Sequence, residues 1–97
     1  MAEIRWTEES LRWLQDIYDY VSVDDPSAAS RIVQGIFDCV QNALNFPELG
    51  YRHTPSVRHI RILLYGHYRI AYLANDNGDI EVLGVFHSAL DITRYQL

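Results

Sequence analysis

The 97-residue sequence predicts an α+β fold, a helical hairpin packed on one face of a mainly antiparallel sheet in the order β-α-α-β-β-β. Three observations carry that expectation. Two successive stretches, Thr7 to Ser22 and Pro26 to Leu44, repeat apolar residues with helical period. A later stretch, Arg61 to His87, reads as strand, short turn, strand, Asn77-Gly78 turn and strand, the pattern of a three-stranded meander. Ahead of the helices, Glu3 to Trp6 alternates as a short strand does.

Thr7 is placed to cap the first helix, and Glu8 and Glu9 follow it in the first turn, where the helix dipole favours acids. Leu11, Trp13, Leu14, Ile17, Tyr18, Tyr20 and Val21 then fill about half the helical wheel at roughly 100° per residue. A helix needs an apolar stripe only slightly wider than about 100° to face its own core. The flank of Trp13, Ile17 and Tyr20 is therefore expected to exceed what the core uses, and to be open to a partner. Asp25 and Pro26 supply a cap and a first helical residue for the second helix. Ala29, Ile32, Val33, Ile36, Phe37, Val40 and Leu44 continue it until Phe46-Pro47 ends it. Residues 48–57 read as a loop that delivers the chain to the meander, and 88–97 as a short helix or an extended tail. With no repeat, low-complexity tract or linker, residues 1–97 are expected to form one domain.

The net charge is −5, which argues against general nucleic-acid binding, because phosphate neutralisation supplies most non-specific affinity. The charges are unevenly distributed. Residues 1–50 hold nine acids against three arginines, whereas Arg52 to Tyr72 holds Arg52, Arg58, Arg61 and Arg69 with no acid. There is no lysine, and arginine suits fork-like pairing with carboxylates. No stretch approaches a membrane helix in length, and the N-terminus lacks the features of a signal peptide, so a cytoplasmic protein with no membrane partner is expected. Cys39 lies at the edge of an apolar helical stripe and reads as a packed thiol. His53, His59 and His67 lack metal-ligand spacing, and no phosphate loop is present, so neither metal nor cofactor is expected.

Arg61 and Arg69 sit mid-strand among apolar residues, where a guanidinium must reach solvent or meet an anion. Strand alternation suggests that Arg61, Leu63 and Tyr65 share the open sheet face with Arg69, Ala71 and Leu73. The arginines would then pair internally with Glu81 or Asp91, snorkel from a sheet edge, or grip an anion, either the acidic segment of a protein partner or RNA phosphates.

Arg61, Tyr68-Arg69-Ile70-Ala71-Tyr72 and His87-Ser88-Ala89-Leu90-Asp91 form a pattern along the meander and just after it. On these residues the sequence resembles the RelE/ParE family, the toxins of bacterial type II toxin–antitoxin pairs, which has an arginine, Tyr-Arg-Ile-x-Tyr and His-x-x-Arg-Asp at those places. The resemblance implies a toxin component of a plasmid-stabilisation module, bound by a small ParD-like antitoxin whose tail folds around it. ParE-like members bind and poison DNA gyrase without acting as enzymes. RelE-like members are metal-independent, ribosome-dependent mRNA endonucleases. Acidity, the lack of lysine and Leu90 in the place of arginine favour the ParE-like branch. In that reading Trp13, Ile17, Tyr20, Arg61, Arg69 and Asp91 are the expected partner-binding residues. In the ribonuclease alternative, Arg61, Arg69, His87 and Tyr95 would carry the chemistry. His87 can otherwise serve as a structural hydrogen-bonder with Asp91.

Overall fold

The computed structural model of the chain describes residues 2–54 and 58–87. Its elements are β1 (Ile4–Trp6), α1 (Glu8–Ser22), α2 (Pro26–Asn45), β2 (Tyr51–Arg52), β3 (Ile60–Tyr65), β4 (Tyr68–Ala74) and β5 (Ile80–His87). The two helices pack on one face of a five-stranded sheet ordered β1-β5-β4-β3-β2, in which β1 runs parallel to β5 and the other neighbours are antiparallel. The α+β arrangement is thus as expected, with one addition. Tyr51–Arg52, expected within a loop, pairs with Arg61 and Ile62 as a two-residue edge strand.

The helix ends follow the chemistry of their caps. The Thr7 hydroxyl accepts from the Ser10 amide (3.0 Å), while the buried Ser10 hydroxyl donates to the Thr7 carbonyl (2.7 Å). The Asp25 carboxylate accepts from the Ala28 amide (3.1 Å), with Pro26 opening α2. In the hairpin between β3 and β4, Gly66 has φ +56°, the positive value that a two-residue turn requires at its first position.

The core between helices and sheet contains Leu14, Ile36, Val40, Ala43, Leu63, Ile70, Tyr72, Ile80, Val82 and Val85. A smaller cluster, Ile60, Ile62, Ala71 and Phe86, occupies the opposite face. Alternation assigns each strand residue to one side, and β5 breaks it once. Ala71 pairs with Gly84 but Tyr72 pairs with Val82, leaving Leu83 as an extra residue in a β-bulge. After it, Val85 and His87 take up the helix-side phase.

Tyr72 is fully buried and both capacities of its hydroxyl are used: it donates to the Pro47 carbonyl (2.7 Å) and accepts from the Gly50 amide (3.0 Å). This bond pair ties the segment leaving α2 to the middle of the sheet. A Cβ at Gly50 would stand 2.7 Å from the Ile62 carbonyl oxygen, so the segment approaches β3 too closely for a larger residue. Burial raises the Tyr72 pKa above the usual 10, a shift that the Gly50 hydrogen bond and the Arg61 charge partly offset. Burial likewise raises the Cys39 thiol above 9.0.

Tyr72→Phe leaves the Gly50 amide without its partner and is expected to lower unfolding free energy by about 1–3 kcal/mol, read from urea denaturation. A change below about 0.5 kcal/mol, the scale of an ordinary surface substitution, would show the hydroxyl to be dispensable. Because a raised acid pKa favours the neutral form in the folded state, the Tyr72 contribution is complete below pH 10 and declines as pH rises from there through the raised value. Stability should therefore fall above pH 10, and less steeply in Tyr72→Phe than in the parent.

Candidate functional site

α1 has a wider apolar arc than the core beneath it can use. Leu14 is buried, Trp13 and Ile17 are half-buried, and Tyr20 is 83% exposed. The expected surplus flank is therefore present. It forms one side of a groove of about 590 Å³ whose other side is built from Tyr68, Val85 and His87 at the ends of β4 and β5. Trp13 bridges the two apolar clusters and meets Phe86 edge to face, with ring centroids 5.0 Å apart. His87 reaches the groove because the bulge at Leu83 shifts it to the helix side. Tyr68 lies edge-on to its ring at 5.7 Å, and His67 stacks on it at 6.0 Å. Among the described residues of the groove lining, the one that is charged is Asp16.

The two arginines do not share a face, which corrects the sequence expectation. Arg61 pairs with Tyr72 and Arg69 with Leu64 and Phe86, and these partners point to opposite sides of the sheet. Leu63 and Tyr65 draw the Arg61 alternation set toward the helices. At the sheet margin the Arg61 stem carries its guanidinium to the Gly50 carbonyl (2.8 Å) and more loosely to that of Glu48 (3.4 Å). Neither Glu81 nor any other described carboxylate pairs with Arg61 or Arg69; the described ion pair joins Arg5 to Asp79 at 3.9 Å. Asp91, Tyr95 and Leu90 lie outside the described residues.

Two participants were not singled out from sequence. Asp16 is a polar residue of α1 that lies one turn from both Trp13 and Tyr20. Asp79 is buried and holds β1 to the turn before β5, accepting from the Glu3 amide at 2.8 Å and from the Asn77 side chain at 3.1 Å. Its place directly after Asn77-Gly78 was the available signal.

The candidate site is thus an aromatic groove with a carboxylate and a histidine among its described lining residues, on a helical hairpin over a mixed sheet. Residues 4–92 match the family model described as ParE toxin of type II toxin-antitoxin system, parDE, and the chain belongs to that family. The Sinorhizobium fredii protein Y4kP is 34% identical over 85 residues, covering 88% of this chain and 86% of that protein. Among solved structures, the chromosomal ParDE toxin–antitoxin system from P. aeruginosa matches with TM-score 0.72 and 23% identity, over 90% of this chain and 96% of that one. The RelBE2 toxin–antitoxin complex from Mycobacterium tuberculosis matches with TM-score 0.61 and 20% identity, over 89% and 96%. These two likenesses confirm the fold. Among the described residues, no helix is long and apolar enough to cross a membrane.

The different settings of the groove and arginine side chains lead to different stability effects. Arg61→Ala is expected to destabilise by about 1–2 kcal/mol through loss of charged hydrogen bonds to the Gly50 segment. Tyr20→Ser, at an exposed position, should stay within about 0.5 kcal/mol. Thermal unfolding distinguishes them, and equal losses would contradict the assignment of Arg61 to the fold.

Proposed function

We propose that this chain is a ParE-like toxin that acts by binding and inhibiting DNA gyrase, is not itself an enzyme, and is neutralised by a small cognate antitoxin. The observation that carries the reading is the environment of His87. Cleavage of RNA by its 2′-hydroxyl requires a base, an acid and cationic stabilisation of the phosphorane. Among the described residues that line the His87 groove, the one charged side chain is a carboxylate, Asp16. Arg61 is engaged with backbone carbonyls, and Arg69 belongs to the other face of the sheet. The net charge of −5 further opposes work inside an RNA-lined site.

Inhibition by surface contact needs no such constellation, and an aromatic flank suits it. An antitoxin partner is supported by the family and by the two structural neighbours, both described as toxin–antitoxin systems. We assign Trp13, Ile17 and Tyr20 to antitoxin binding. Arg69 remains a candidate for acidic residues of the same partner, and Asp91 for a further contact.

Induction of the chain in bacteria, with His87→Gln alongside, tests the gyrase reading. Inhibited plasmid supercoiling, DNA breaks, intact translating mRNA and toxicity largely retained by His87→Gln are the expected results. Removal of a general acid or base typically costs 10²–10⁴-fold in rate. Ribosome-dependent mRNA cleavage that disappears in His87→Gln would replace this reading with the RelE-like one.

A further inference from the structure

The groove beside α1 has a definite chemistry. Val85 is fully buried at its base, Ile17 and Trp13 are half-buried along its side, and the exposed Tyr20 stands at its rim. Asp16 is solvent-exposed on the same stretch of helix, and among the described residues its carboxylate has no hydrogen bond or ion pair. The rest of α1 adds Glu8, Glu9 and Asp19 against the single Arg12. A volume of about 590 Å³ accommodates a few inserted side chains.

We propose that the groove receives a segment of a partner protein that inserts an aliphatic side chain against Trp13 and Ile17 and sets an arginine or lysine against Asp16. Identifying that partner with the antitoxin rests on the reading above; the recognition chemistry rests on the groove. Aliphatic and aromatic walls favour the apolar insert through burial. The carboxylate favours a cation, and the neighbouring Tyr20 and Tyr68 rings can add cation–π attraction. An acidic segment would set its charge against Asp16 and against a helix already carrying four acids. Such a segment suits Arg69 on the other sheet face and not this groove.

The test uses the purified full chain and two synthetic amphipathic helical peptides. Both carry leucines at i, i+3 and i+7, and they differ at one position a turn further on, arginine in one and glutamate in the other. Binding is followed by NMR titration of the Trp13 indole and of the Ile17 and Val85 methyl groups. Exposed ion pairs contribute about 0.2–1 kcal/mol, so exchanging attraction for repulsion should favour the arginine peptide by about fivefold. Asp16→Asn should abolish most of that preference, and Asp16→Arg should reverse it. Equal affinities, preference for the glutamate peptide, or shifts located away from the groove would overturn the proposal. Since neither gyrase nor antitoxin enters this titration, its failure leaves the toxin reading standing, and failure of the toxicity experiment leaves the groove chemistry standing.

Discussion

One extra residue in β5 determines what the helix side of this sheet presents. In an unbroken strand the side chains at 80, 82, 84 and 86 would lie together, but Leu83 has no partner in β4 and the phase changes there. Ile80 and Val82 enter the main core, and Val85 and His87 follow them on the same side. Phe86 is sent to the other face, where its ring lies over Gly84; a Cβ at Gly84 would stand 2.6 Å from that ring. Thr7 joins this point to α1, because its amide donates to the Val82 carbonyl at 3.1 Å while its hydroxyl caps the helix. The bulge and the cap thus set the flank of α1 beside the end of β5, and the groove follows from their juxtaposition.

The same alternation separates the basic residues. A guanidinium at Arg61 is tolerated on the helix side because the sheet ends nearby and the chain leaving α2 offers carbonyls to it. Arg61 and Tyr72 are cross-strand neighbours, and together they hold the segment from Pro47 to Gly50. Arg61 therefore contributes to the fold, while the outer face retains Arg69. This division leaves the described lining of the groove acidic and apolar, which is the physical reason for favouring recognition over phosphate chemistry.

Much of this was legible from residue order. Thr7, Asp25 and Pro26 act through local hydrogen bonds and fixed φ, so the helix starts could be read directly. Gly66 and the Asn77-Gly78 turn similarly defined the meander. The Trp13, Ile17 and Tyr20 flank was visible because an apolar arc wider than one interface shows on the wheel. The separation of Arg61 from Arg69 depended on register: alternation relates sides within one strand, and it is the two-residue turn, with Tyr65 paired to Tyr68, that sets Arg61 beside Tyr72 and Arg69 beside Leu64. β2 was missed because two residues are too few to show a period, and its pairing to β3 is a tertiary contact. Gly84 inside a strand was a signal for a bulge, and with it the placement of His87 could have been foreseen.

Hydrogen exchange of the free chain, compared with the chain bound to a cognate antitoxin, tests the proposed recognition surface most directly. Added protection is expected along α1 around residues 13–20 and at the ends of β4 and β5 near Tyr68 and His87. Protection confined to the β2 edge, around Tyr51 and Leu64, with α1 exchanging as in the free chain, would contradict it.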